Sequence, residues 1–228
     1  MTSLKTLLRK IRKELKKKDA VREKAQKDMR KATSLSKQAI LLIHQKRFNE
    51  AKELIAKAHE ILLRLDGASL NHPEIIYSGL YSAARQEYSE ANIFLNLIEK
   101  SRFTKPDEIK VPSVDYVLGL ADVIGEFRRL ALDALRDGDL KKGEKCLQIM
   151  DEIYTELTAM DEAYMLVPGL RRKCDIARRI IEATRGDITQ EVRRSSLEKY
   201  LRHFERKTKK RKTSAEKADE QKEWALST

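Results

Sequence analysis

The stretch NHPEIIYSGLYSAARQEYSEANIFLNLIEK (71–100), followed after a short gap by VPSVDYVLGLADVIGEFRRLALDALRDGD (111–139), decides how this chain folds. Both place apolar residues three and four apart, the period of a helix with one face turned to a core. Pro73 suits a first helical turn, so the first stretch predicts a helix from there to about Lys100. The second predicts a helix from about Ser113 to near Gly138. Residues 101–113 hold Pro106 and Pro112 and form the main internal linker.

Outward from this pair the pattern stays helical. Residues 3–45 read as one long helix with Leu4, Leu7, Leu8, Ile11 and Leu15 on one stripe. Residues 47–67 form an amphipathic helix ending at Gly67, and residues 139–160 form another. Pro168 and Gly169 break the chain before a helix over 169–187 and a last basic helix over 188–207. From 207 to 228 charge and small residues leave almost nothing to bury, which predicts a disordered basic tail with a peripheral Trp224. The chain thus divides into a helical domain, 1–206, and a tail, 207–228.

Composition supports an all-α protein and narrows its function. With 8 Gly, 4 Pro and 6% aromatics in 228 residues, the turns and strands of a β sandwich, barrel or Rossmann domain are hard to supply. No apolar run approaches the roughly 18 residues of a membrane span, and MTSLKTLLRKIRKELKKK lacks the pattern of a secretory signal. Cys146 and Cys174 have no CxxC spacing, sit in apolar helical patterns, and read as core thiols of a reducing, cytoplasmic interior. His44, His59, His72 and His203 form no metal motif; His44 and His59 read as partly buried or surface polar residues of amphipathic helices. The net charge of +12 makes nucleic acid the first partner to consider. Residues 1–30 carry twelve Lys or Arg against four acids, so this arm is either a solvated helix face or a phosphate-contacting one.

The chemistry concentrates in the two deciding stretches. Ala83, Glu87, Glu90, Phe94 and Leu97 fall on one helix face, so two carboxylates lie inside an otherwise apolar stripe. Neither has Lys or Arg four residues on, and buried carboxylates without partners are costly or become protonated. On the next helix Asp122 and Glu126 share a face with Gly119, Gly125 and Arg129. If these helices pack together, the small residues Gly119, Ala121 and Gly125 allow close approach and the carboxylates converge. Such an all-oxygen cluster suits Mg²⁺ or Mn²⁺ and phosphodiester hydrolysis. The competing expectation is an interhelical ion network with Arg85, Arg128 and Arg129. No phosphate-binding loop or nucleophile motif is present. A pattern echo between RFNEAKELIAKAHEILLRLDG and GDLKKGEKCLQIMDEIYTELTAMD leaves a tetratricopeptide-like interaction scaffold as a further alternative.

These residues also carry a resemblance. QEYSEA (Gln86 to Ala91) and DYVLGLADVIGEF (Asp115 to Phe127), with LRRKCDIARRIIEATRGD near the end, resemble the translin family, in particular its catalytic branch, translin-associated factor X. The resemblance implies an all-α bundle of about seven helices, assembled into hollow octamers that enclose nucleic acid. It implies a Mg²⁺-dependent endoribonuclease with Glu87, Glu90 and Asp122 as catalytic metal-holding acids, and Glu126 as a less firm match. Because one chain carries all the acids, a homo-oligomer with active sites throughout is expected. Its partner would be single-stranded or locally unpaired RNA, with single-stranded DNA as a further ligand. Arg85, Arg128 and Arg129 are candidate phosphate clamps. A non-catalytic RNA- or DNA-binding oligomer is the alternative.

Overall fold

The computed structural model describes residues 3–226, with side chains except at 75, 161, 163 and 209–226. The helices are α1 (Leu4–His44), α2 (Phe48–Ser69), α3 (Pro73–Ile76), α4 (Gly79–Lys100), α5 (Pro106–Ile109), α6 (Ser113–Arg136), α7 (Leu140–Thr158) and α8 (Leu170–Leu226), with a 3₁₀ turn at Asp161–Tyr164. Six are long, α3 and α5 are single turns, and no strand occurs among the described residues. The all-α expectation is met.

The helices pack in a row folded on itself. α1 and α2 form a hairpin, α4 lies on α1, α6 lies on α4, and α7 and α8 cover the far side of α6. Small residues on the inner stripe of α1 (Ala25, Ala32, Ser36 and Ala39) let its neighbours approach closely. Gly138 adopts φ +78° in the α6–α7 turn, a conformation that costs glycine least. Phe94 and Phe127 meet edge to face in the middle of the core, with ring centroids 5.6 Å apart. Cys146 and Cys174 are free and buried, and burial pushes the Cys146 thiol up to about 11. Both are core thiols, as their patterns suggest. No described helix is long and apolar enough to cross a membrane.

Four boundaries differ from the sequence expectation. The helix predicted from Pro73 to Lys100 breaks at Tyr77 and Ser78. Ser78 is extended (φ −121°, ψ 163°), and its carbonyl accepts from the Tyr81 and Ser82 amides to start α4 afresh. α2 runs through Gly67 to Ser69. The linker contains the α5 turn, with Pro106 in its first turn and Glu108 capping Lys105 N–H. The two helices expected over 169–207 are one continuous helix. Gly186 weakens it locally without ending it, because its neighbours favour helix and no proline follows.

The same helix carries through the segment expected to be disordered. The backbone to Leu226 is helical, as the Lys, Glu, Ala and Arg of that segment permit. Side chains beyond 208, Trp224 among them, lie outside the described residues. The buried stripe of α8 ends at Ile188. Likewise the predicted stripe Leu4, Leu7, Leu8, Ile11 and Leu15 is exposed, because α1 buries side chains fully only from Ala25 onward.

Candidate functional site

Where α4 crosses α6, a glycine sets the distance. A Cβ at Gly119 would stand 2.6 Å from the Gln86 carbonyl oxygen and 2.8 Å from Ser89 Cβ, so the two backbones touch there. This contact brings the Glu87 and Glu90 turns of α4 against the Asp122 turn of α6. Gly125 faces open space and plays no part in the approach, contrary to expectation. The outcome is a cavity of about 510 Å³ lined by Glu87, Glu90, Asp122, Glu126, Lys37 and Arg129 over Ile40 and Leu41.

All four acids named from the sequence therefore converge, but their surroundings differ. The expected stripe deepens along α4, from exposed Ala83 to fully buried Phe94. Glu87, a quarter exposed, pairs with Lys37 Nζ at 3.1 Å. Asp122 pairs with Lys173 from α8. Glu126 meets His44 Nε2 at 2.5 Å, and that imidazole is buried beside Phe94 with Nδ1 unpartnered. Glu90 is 7% exposed and has no hydrogen bond or ion pair among the described residues. Burial, then the charges of Asp122, Glu87 and Glu126, push its carboxyl up to about 9 against a smaller opposing pull from Lys173. An N–H at His44 Nε2 suits this geometry, since it donates to the Glu126 carboxylate.

Of the three arginines, one reaches the cavity. Arg129 lines it and has no partner among the described residues. Arg85 points off the opposite face of α4, where it is 9% exposed and bonded to Asp66 and to the Tyr81 hydroxyl at 3.0 Å. Its guanidinium stacks on the Tyr81 ring, and Asp115 lies 3.8 Å away. Arg128 is tied to α8 through Thr184 Oγ1 (2.7 Å), the Ile180 carbonyl (3.2 Å) and Asp187 (3.6 Å). Neither is placed as a phosphate clamp, because both are spent on joining helices. His59 sits apart, stacked on Tyr88 and accepting from or donating to its hydroxyl at 3.0 Å. Sequence reading missed Lys37, Lys173 and, as a site residue, His44. They lie 50, 51 and 82 positions from the acids they meet, and no local spacing marks them.

The donor set fits a hard divalent cation in its chemistry. It is all oxygen, and it includes one buried carboxyl with no hydrogen-bond or ion-pair partner among the described residues. The acids are not gathered around one point, however. Among the described residues no three His, Cys, Asp or Glu groups are arranged to hold a metal together. Glu87, Asp122 and Glu126 are instead each drawn to a separate nitrogen partner. Holding a metal would require at least the two lysines to give way.

The fold and site define an all-α bundle that brings carboxylates from two adjoining helices into one open cavity. The translin family profile matches residues 2–184. An uncharacterized protein from Methanocaldococcus jannaschii, MJ0175, is 34% identical over 193 residues, 82% of this chain and 84% of that protein. The crystal structure of AfC3PO superposes with a TM-score of 0.72 at 37% identity, over 81% of this chain and 96% of that one. A structure of AfC3PO with duplex RNA gives 0.71 at 36% identity, over 81% and 95%. Apo-NeC3PO, at 20% identity and TM-score 0.73 over 84% and 98%, shares the fold. This chain belongs to the translin family.

Proposed function

We propose that this protein is a divalent-metal-dependent endoribonuclease acting inside a homo-oligomeric shell. The observation that carries the reading is Glu90, a buried carboxyl without a hydrogen-bond or ion-pair partner among the described residues while three other acids face it across one cavity. Without a cation such a group is costly or holds a proton, and a bound cation would let it ionise. Glu87, Glu90 and Asp122, with Glu126 beside them, would hold Mg²⁺ or Mn²⁺. When bound, such an ion supplies an activated water and neutralises charge on the phosphate. The water oxygen would bond to phosphorus as the bond to the leaving ribose oxygen breaks, and that oxygen would take up a proton from solvent in the open cavity. A cavity carboxylate orients the water and accepts the proton it sheds. His44 keeps Glu126 in one orientation.

RNA is the favoured ligand because the chain is strongly basic and AfC3PO has been solved with duplex RNA. Single-stranded or locally unpaired RNA is the substrate proposed here, with single-stranded DNA as a further ligand. Cleavage of matched single-stranded and duplex RNAs separates this preference from one for intact duplex. Self-association, taken to be octameric, is supported by two apolar stripes on arms that leave the bundle: Leu4, Leu7, Leu8, Ile11 and Leu15 on α1, and Leu197, Tyr200, Leu201 and Phe204 on α8. The free cysteines suit a cytoplasmic location.

A second reading has its own observation. The pairing of Glu87 with Lys37 and Asp122 with Lys173 suits an ion network in a purely RNA-binding shell. Incubating the purified protein with labelled single-stranded RNA in Mg²⁺, Mn²⁺ or EDTA decides between them. Cleavage in either metal and none in EDTA is expected. Binding without cleavage in every condition returns the function to binding alone. In both readings log affinity for single-stranded RNA falls with log salt by about 0.7 per phosphate neutralised.

A further inference from the structure

The acids that line the cavity are met by cations from two different helices. Lys37 enters from α1, which packs on α4, and Lys173 enters from α8, which packs on α6, so the two lysines flank the acids from opposite sides. Each takes a different carboxylate. Glu126 is served differently, by an imidazole whose side chain is 4% exposed and held beside Phe94. His44 cannot swing away. The lysines can: Lys37 is 63% exposed and Lys173 25% exposed, and both carry their charge on a flexible four-carbon stem.

Charge in the cavity then poses a problem. Four carboxylates face one another, a single divalent cation offsets part of their charge, and a phosphodiester brings a further negative charge. Without additional cations the loaded site would repel its substrate. The cations within reach are Arg129 and the two lysines. Once a metal takes over the charge of Glu87 and Asp122, the ammonium groups lose their partners next to the place where the phosphate must sit.

Building on the metal-dependent reading above, we propose that Lys37 and Lys173 are exchangeable counter-ions: in the free protein they neutralise Glu87 and Asp122, and on metal binding they turn to the RNA phosphate. The lysines thus compete with the metal and assist the substrate. Their removal has opposite effects on the two ligands, which a structural ion pair does not produce.

The experiment uses the full chain and the variants Lys173→Met, Lys37→Met and Lys173→Arg. Mn²⁺ affinity is measured without RNA by electron paramagnetic resonance, and single-turnover cleavage of labelled single-stranded RNA is measured at saturating Mn²⁺. Lys173→Met should bind Mn²⁺ about tenfold more tightly, the effect of deleting one partly screened competing charge. It should cleave about a hundredfold more slowly at that saturation, two phosphate hydrogen bonds' worth of rate. Lys37→Met, at an exposed position that the fold tolerates, should move both quantities the same way by less. Lys173→Arg should keep most of the cleavage. Unchanged or weaker Mn²⁺ binding in both Met variants overturns the exchange, as does tighter binding with undiminished cleavage. If the parent protein binds Mn²⁺ and cleaves, such a result defeats the lysine proposal alone. If the parent neither binds Mn²⁺ nor cleaves, the metal-dependent reading itself has failed, and the lysine proposal with it.

Discussion

Two ionisable residues five positions apart on α4 are almost equally buried, Arg85 at 9% and Glu90 at 7%, yet the protein treats them in opposite ways. Arg85 is surrounded by Asp66, Asp115 and the Tyr81 ring and hydroxyl, so its charge joins α2, α4 and α6. Among the described residues Glu90 receives no donor, and it faces three more acids. A chain able to build the first arrangement could have completed the second with one more arginine. Under the proposed function, the difference separates a charge that holds the fold from a carboxyl kept for a ligand.

The comparison breaks most sharply at the acids. Under the proposed function, Glu87→Ala, Glu90→Ala and Asp122→Ala should each lower cleavage at least about a thousandfold, of order 4 kcal/mol. RNA affinity in EDTA should stay equal or rise, since each change removes negative charge near phosphate. Gel-shift and cleavage assays on the same preparations check both. Retained cleavage in all three variants would make these residues structural.

Arg85→Met tests the other face. It removes the guanidinium facing buried Asp115, whose carboxyl burial already raises, and leaves it the Ser82 hydroxyl; Asp66 keeps only the Tyr81 hydroxyl. A loss of about 3–5 kcal/mol is expected from chemical denaturation. In whatever fraction remains folded, cleavage per folded molecule should be unchanged, because Arg85 does not reach the cavity. A selective loss of cleavage at full stability would restore it as a phosphate clamp.

Gly119 and Gly125 make a smaller, paired test. Gly119→Ala pushes a methyl into the backbone of α4 beside Glu90, at an expected cost of about 1–3 kcal/mol. The displaced α6 should also slow cleavage beyond what lost stability explains. Gly125→Ala meets open space and should be neutral or stabilise by up to about 1 kcal/mol through helix propensity. Thermal melts of both variants check the contrast, and equal effects would remove Gly119 from its positioning role.

Much of the fold and half of this contrast could be read from the chain. The helical period and sparse glycine predict an all-α bundle, and the polar gap in an apolar stripe marks Glu87 and Glu90, because each signal lies within one helix. What could not be read is what depends on pairing between helices. Arg85 and Glu90 look alike along α4, and the Asp66 and Asp115 that claim the arginine are 19 and 30 positions away. Lys37, Lys173 and His44 meet the cavity's acids from helices whose own patterns show unremarkable polar positions. The break at Ser78 and the continuity of α8 were missed for a different reason. Proline and glycine are strong local signals, but Gly186 is tolerated inside a helix, while Ser78 ends one without any proline.

The finest test asks whether Glu90 is strained by its isolation, and pH answers it. Its carboxyl stands near 9 in the folded protein against an ordinary 4.5, chiefly through burial and then through the charges of Asp122, Glu87 and Glu126. Between those values the folded protein holds a proton that the unfolded chain has released. Folding therefore takes up a proton in that window, and stability falls as pH rises through it, by of order 1 kcal/mol per pH unit. Glu90→Gln keeps the shape and removes the titration. In EDTA, the melting temperature of the parent protein should decline from about pH 5 to about pH 9 by a few degrees per unit, while that of the variant should decline much less. The variant should also be the more stable of the two at the alkaline end. Parallel curves would mean that Glu90 is ionised and compensated in the folded state, and the contrast with Arg85 would then lose its physical basis.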